Sequence, residues 1–404
     1  KTFGDNHPNV AVTRRLLGSL WQIQGDYDKA IEYYDLALQH TLEKYGNAHP
    51  EVAKTYNHLG SAWQAQGLFD KANEYYQLAL VGGQQSLGEQ HPVVATTQSH
   101  MGSLWLAKGQ YDKALGLYEQ ALASTILSLG EEHPDVAEIR SSLGRIFKAK
   151  GQYDRAIEYY ELALGSGIAT FGEAHPSVAI RWSNLGSLWS AKGQYEKAIE
   201  YYQLALNSGI NTFGQDHPAV AIRQSNLGSA WESLGDYDKA IQYYELALQG
   251  GIKHFGEDHP AVAKRRSNLG SVFKALKQYD KAISYYKLAL KSGIRMLGEN
   301  HPSVAIRQNS LASCWQAKGQ YDKAITYYEK ALAIYVQTLG ENHPNVAATR
   351  SNLGSAWYAK AEYKKAIEYY EMALAAGLVI YNKDHPFISA MRSNIDNARD
   401  ARWQ

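Results

Sequence analysis

The sequence predicts an all-α solenoid, a stack of antiparallel helix pairs. Two observations carry that prediction. The dipeptide His-Pro falls at His7, His49, His91, His133, His175, His217, His259, His301, His343 and His385, always 42 residues apart, and it accounts for every proline of the chain. Between successive His-Pro pairs lie two apolar patterns of helical period separated by a short glycine turn. A fixed period without insertions means that each unit packs on its neighbours in the same way, so one continuous array forms rather than separate globular cores.

One unit, begun at His175, shows how the elements arise. The residue before a proline is pushed out of the helical region, and proline suits the first helical position, so His175 caps a helix opened by Pro176. Val178, Leu185, Leu188 and Trp189 recur on one side with small Ala179 and Gly186, until Gly193 stops the run. This first helix of the unit is helix A. From Tyr195 to Phe213, Ala198, Ile199, Tyr202, Ala205 and Leu206 form the stripe of a second amphipathic helix, helix B, which Gly214 ends. Glycine inside helix A costs about 1 kcal/mol against alanine, so its recurrence in units one to seven and nine predicts a close approach of two backbones. Gly83, Gly167, Gly209, Gly251, Gly293 and Gly377, late in helix B, predict a bend or a close crossing. Lys277 and Ala361 take the place of the turn glycine and are expected to cost roughly 1 kcal/mol each.

Nine complete units occupy 7–384, and a tenth A helix occupies 385–404. Asp396 and Arg399 stand there in place of the glycine and the aromatic, as a terminal cap needs. Residues 1–6 match the tail of a unit, as in Thr212-Phe213-Gly214, and read as the remnant of a preceding repeat.

At this point the residues carry a resemblance. Asn184-Leu185-Gly186, Trp189, Gly193-Gln194-Tyr195, Ala198-Ile199, Tyr202 and Ala205-Leu206 resemble the tetratricopeptide repeat. The 42-residue length, with Leu/Phe-Gly-x-x-His-Pro-x-Val-Ala between units, is similar to the subclass in kinesin light chains and nephrocystin-type proteins. The match covers almost the whole chain. It implies a right-handed superhelix with helix A on the concave side, and a protein that binds extended peptides of partners.

Composition narrows the function. The formal charge of +1 argues against a strongly basic nucleic-acid binder. No apolar run is long enough to span a membrane. A single cysteine, Cys314, excludes an internal disulfide and fits a reducing, cytoplasmic compartment. Cys314 takes the place of the Leu, Ala, Val or Ile of other units, so it reads as a core residue and not a nucleophile. The ten repeated histidines are caps and not metal ligands, because each unit supplies one while a metal needs three or four at one point. Gly165-Ser166-Gly167 lies within a helix and has no strand before it, unlike a nucleotide loop. The Glu-Tyr-Tyr segments are packing tyrosines beside a solvated acidic face. No catalytic residue and no cofactor is expected.

The inner wall is more informative. Counted from each His-Pro histidine, the fifth, ninth, twelfth and sixteenth residues share a narrow arc of helix A. The ninth is asparagine at Asn184, Asn226, Asn268 and Asn352, which by the resemblance would hydrogen-bond a peptide backbone. Units one to four lack it. The twelfth is serine everywhere except Arg145, and includes Ser187, Ser229 and Ser271. At the sixth position stand Arg181, Arg223, Arg265 and Arg307, with Lys264 at a fifth. Two readings of the arginines remain open: a positive wall of the groove, or bridges between units through loop carboxylates such as Glu173 or Asp216. The sequence thus predicts a scaffold that binds an extended, acidic segment of a partner through units five to eight. The alternative is a structural spacer or self-association platform of a larger signalling protein. Membrane and RNA are not expected partners, since RNA recognition needs stacking groups facing inward.

Overall fold

The computed structural model describes residues 8–381 and 383–403. Residues 1–6, His7 and its expected capping role lie outside the described residues. Among the described residues every regular element is an α-helix, nineteen in all. Contacts divide the chain into two compact units, one ending at Ser208 and one beginning at Gly209.

In the first unit the A helices are Pro8–Gln24, Pro50–Ala65, Pro92–Ala107, Pro134–Ala149 and Pro176–Ala191. They alternate with B helices Tyr27–Tyr45, Phe69–Leu87, Tyr111–Leu129 and Tyr153–Phe171; the next B helix, Tyr195–Phe213, contains the division. In the second unit the A helices are Pro218–Leu234, Pro260–Ala275, Pro302–Ala317 and Pro344–Ala359. Their B helices are Tyr237–Phe255, Tyr279–Leu297, Tyr321–Leu339 and Tyr363–Ile380, and Pro386–Arg402 follows.

Each described His-Pro histidine has extended backbone, and its Nδ1 accepts the N–H of the residue two further on, as from Ala261 to His259 at 3.1 Å. The imidazole also stacks on the aromatic at, or just past, the end of the preceding B helix where one is present. Tyr45 and His49 are 4.1 Å apart, Phe255 and His259 4.2 Å, and Tyr381 and His385 4.0 Å. One residue therefore satisfies an orphan amide and locks the turn against the helix before it.

The mid-helix glycine of helix A does not bring two backbones together as expected. Its neighbour is the second tyrosine of the Glu-Tyr-Tyr segment: a Cβ at Gly228 would lie 2.7 Å from Cδ1 of Tyr244, and one at Gly60 2.5 Å from Cε1 of Tyr76. The ring is flattened onto the A helix, so the glycine exists to seat a side chain. The late glycines of helix B likewise seat side chains of the following repeat, the close approach that was one of the two alternatives expected. Val94 lies over Gly83, Arg265 over Gly251, and Phe387 over Gly377.

A lysine in the turn after helix A reaches an aspartate at the start of the previous B helix. Lys108–Asp70 and Lys192–Asp154 close at 2.9 and 2.5 Å in the first unit, and Lys318–Asp280 and Lys360–Asp322 repeat the pair in the second. These carboxylates are largely exposed, so each pair contributes only about 0.2–1 kcal/mol and sets register more than stability. Helix Pro386–Arg402 buries Ile388, Met391, Ile395 and Ala398 and leaves Asp396 and Arg399 exposed.

Candidate functional site

On the A helices the arc singled out from the sequence is the accessible one. Fifth-position Ile222, Lys264 and Ile306 and sixteenth-position Ala275 and Ala317 are exposed, and the ninth-position asparagines are partly exposed. Asn226, Asn268 and Asn352 lie in the second unit, Asn184 in the first. Among the described residues none of the four side chains has a hydrogen-bond partner.

The serines are different. Ser187 accepts from Lys148 Nζ at 2.6 Å, Ser271 donates to Glu232 Oε1 at 2.8 Å, and Ser229 bonds the Tyr244 hydroxyl. They belong to a network whose other member, the fifteenth residue of each unit, the sequence reading passed over. Tyr34 donates to Gln22, which donates to Ser61; Tyr76 donates to Gln64, which donates to Ser103. In the second unit Tyr244 donates to Glu232, which also accepts from Ser271. The recurrence of long polar residues at Gln22, Gln64, Lys148, Glu232, Lys274 and Gln316 was the signal available. Burial drives the ring hydroxyls to hold their protons; that of Tyr202 is pushed up to about 12.

The arginines depart most from expectation. Arg181, Arg223, Arg265 and Arg307 are only 2, 6, 4 and 8% exposed, so they do not form a solvated positive wall. The physical reason is the glycine beneath each: Gly167, Gly209, Gly251 and Gly293 leave a slot in helix B that the guanidinium fills, with Nη1 of Arg265 3.1 Å from where a Gly251 Cβ would be. Nor are loop carboxylates their partners. Arg181 Nη2 donates to Glu138 Oε1 at 2.8 Å, on the previous A helix, while Asp216 pairs with Lys253. The arginines that do reach acids in the turns stand one position later. Arg140 pairs with Glu131 at 3.2 Å, Arg266 with Glu257 at 3.3 Å, and Arg350 with Glu341. Burial lowers the pKa of Arg223, Arg265 and Arg307 below the usual arginine value.

Within the first unit, a depression of about 660 Å³ lies over repeats that lack the asparagine ladder, lined by Gln64, Tyr76, His100, Ser103, Glu138 and Ser142 among others. His58 and His100 take the asparagine register there, packed on Tyr34 and Tyr76 at 5.2 and 5.6 Å. Burial, helped by Arg15, holds the His58 imidazole down at about 4. Cys314 is fully buried beside the Tyr279 carbonyl, and burial raises its thiol pKa. Among the described residues no three His, Cys, Asp or Glu side chains gather as a metal site, and no helix is long and apolar enough to cross a membrane.

The tetratricopeptide repeat family model matches residues 17–81, 51–126, 93–166, 177–252, 232–295 and 303–377, and a second model of the same repeat matches 268–337. The chain belongs to the tetratricopeptide repeat family. Among solved structures, this tetratricopeptide repeat chain is similar to the apo form of the quorum sensor NprR from B. thuringiensis. The identity is 13% and the TM-score 0.63, over 90% of this chain and 97% of that one, a likeness of fold. It is similar also to BtubC (BKLC) from P. vanneervenii, at 25% identity and TM-score 0.48 over 58% of this chain and 92% of that one. A putative kinesin light chain with nearly identical TPR-like repeats from Podosopora anserina matches at 24% identity and TM-score 0.46, over 52% and 99%. No curated protein sequence matches the chain.

Proposed function

We propose that the chain is a non-catalytic protein-interaction scaffold, of a subclass like the 42-residue repeats of kinesin light chains, that binds an extended, acidic segment of a partner along its A helices. The second compact unit offers the best-equipped stretch, with Asn226, Asn268 and Asn352 on the wall and Lys264 beside them. Asn184 and Ser187 offer the same register in the first unit.

One observation carries this reading: the asparagines are accessible and unbonded, whereas the neighbouring serines and tyrosines are consumed by hydrogen bonds within and between repeats. An extended segment brings unpaired N–H and C=O groups, and a carboxamide serves both. Each net hydrogen bond is worth about 0.5–1.5 kcal/mol, so several repeats must act together to reach the ~8 kcal/mol of a micromolar complex.

The test is a triple variant, N226A/N268A/N352A, titrated with a peptide selected from an acidic library against the wild-type chain. Affinity is expected to fall at least tenfold while the melting temperature stays within a degree or two, because these amides bond nothing within the fold. Wild-type affinity in the variant rejects the assignment. If no peptide is selected and mass in light scattering rises with concentration, the chain is a self-associating spacer instead.

A further inference from the structure

Four of the most deeply buried arginines have a carboxylate: Arg140, Arg181, Arg266 and Arg350, paired with Glu131, Glu138, Glu257 and Glu341. Among the described residues, Arg223, Arg265 and Arg307 have none, and all three lie in the second unit. Nε of each, and Nη1 of Arg265, is buried with no acceptor, as are Nε and Nη1 of Arg181, whose acid takes Nη2; what sets the three apart is the missing carboxylate, and Arg307 Nη1 finds a backbone oxygen, that of Ser303 at 2.7 Å. A buried guanidinium without an anion is costly, because it has lost its water and gained no counter-charge. Three in successive repeats are therefore an unfilled requirement.

Arg181 shows where the missing anion belongs. Its acid, Glu138, is 43 residues upstream on the preceding A helix, and that carboxylate is itself 70% exposed. The guanidinium edge is thus reached from the open side even though the arginine is buried. In the second unit the residues 43 upstream of Arg265 and Arg307 are Ile222 and Lys264, both exposed and neither acidic. The position that holds Glu138 before Arg181 is thus an aliphatic residue before Arg265 and a second cation before Arg307. One helical turn beyond Arg223 and Arg265, on the same face, stand Asn226 and Asn268.

We propose that Arg265 and Arg307 form a pair of sockets for the carboxylates of a bound partner segment, each acid taking against its arginine the place that Glu138 takes against Arg181. The inference rests on the reading that this wall binds an extended acidic segment, and adds the register. Packed helices lie about 8–10 Å apart and an extended chain advances about 3.3 Å per residue, so the acids that fit fall about three residues apart. Ile222 supplies apolar contact beneath the segment, and Asn226 and Asn268 meet its backbone between the acids.

The test uses three labelled peptides on the full chain by fluorescence anisotropy: one with two glutamates spaced by two glycines or serines, one with the same glutamates contiguous, and one with glutamine for glutamate. The spaced peptide is expected to bind at least tenfold tighter than the glutamine peptide and several-fold tighter than the contiguous one. The double variant I222E/K264E, which supplies the acids within the chain, is expected to lose at least tenfold in affinity for the spaced peptide without a lower melting temperature. K281E, a charge reversal on a B helix, is expected to bind as wild type. Unchanged affinity in I222E/K264E, or an equal loss in K281E, overturns the proposal. If all three peptides bind alike and still depend on Asn226 and Asn268, the sockets are rejected while the scaffold reading stands; if none binds, both fall.

Discussion

Arg181 and Glu138 are joined across two repeats by a hydrogen bond of 2.8 Å in which the cation is buried and the anion is not. The burial belongs to the arginine because Gly167 makes room for it. E138Q is expected to destabilise the chain by about 1–2 kcal/mol, below the 3–5 kcal/mol of a fully buried broken pair because solvent already reaches the carboxylate. Urea unfolding of the variant against wild type measures it, and a cost near zero would mean that water replaces Glu138 without loss.

The glycine under each buried tyrosine makes a second prediction. G228A gains helix propensity, yet its Cβ would stand 2.7 Å from the Tyr244 ring. Overpacking of this kind costs about 1–3 kcal/mol, more than the propensity returns, so G228A is expected to lower stability. Ala312 stands at this register in a repeat whose buried cluster, with Tyr328, already accommodates a Cβ, so A312G is expected to lose about 1 kcal/mol of propensity. Thermal melts of the two variants separate packing from propensity.

Lys277 and Ala361 hold the turn after helix A at φ 58° and 61°, where other repeats place glycine, such as Gly235 at φ 89°. A side chain in that left-handed region costs about 1–2 kcal/mol. K277G and A361G are each expected to raise stability by about 1 kcal/mol, after the added entropy of glycine in the unfolded chain is subtracted. Denaturant midpoints at unchanged slope are the readout.

Acid should weaken the first unit through His58. Its folded pKa is about 4 against an ordinary 6.5, so between those values the unfolded chain binds the proton and the folded chain does not. Stability therefore falls as pH drops from about 6.5 and levels off near 4, by at most about 3 kcal/mol for this residue. Burial lowers the pKa of His100 as well, which adds in the same direction. H58N, with the residue that other repeats carry at this register, is expected to flatten the profile; a wild-type slope in H58N would place the sensitivity elsewhere.

The period, the helix boundaries and the histidine caps were legible in the sequence because they are local: His-Pro before an apolar stripe dictates a capped helix wherever it occurs. Helix A of the fifth repeat was expected from Pro176 to Gly193, and the helix runs Pro176–Ala191. The family followed from the same repeated positions. What a residue at the edge of a stripe touches is not local. Sixth-position arginine borders both the wall and the buried face, and its direction depends on a glycine contributed by another helix. The fifteenth-position residues carry no local signal of a partner, yet they bond tyrosines twelve residues on and serines 39 residues on in the neighbouring repeat. Repetition along the chain determined which helices form and how they alternate; only packing between repeats decided which polar groups are spent inside the array and which, like Asn268 and the unpaired Arg265, are left to face something else.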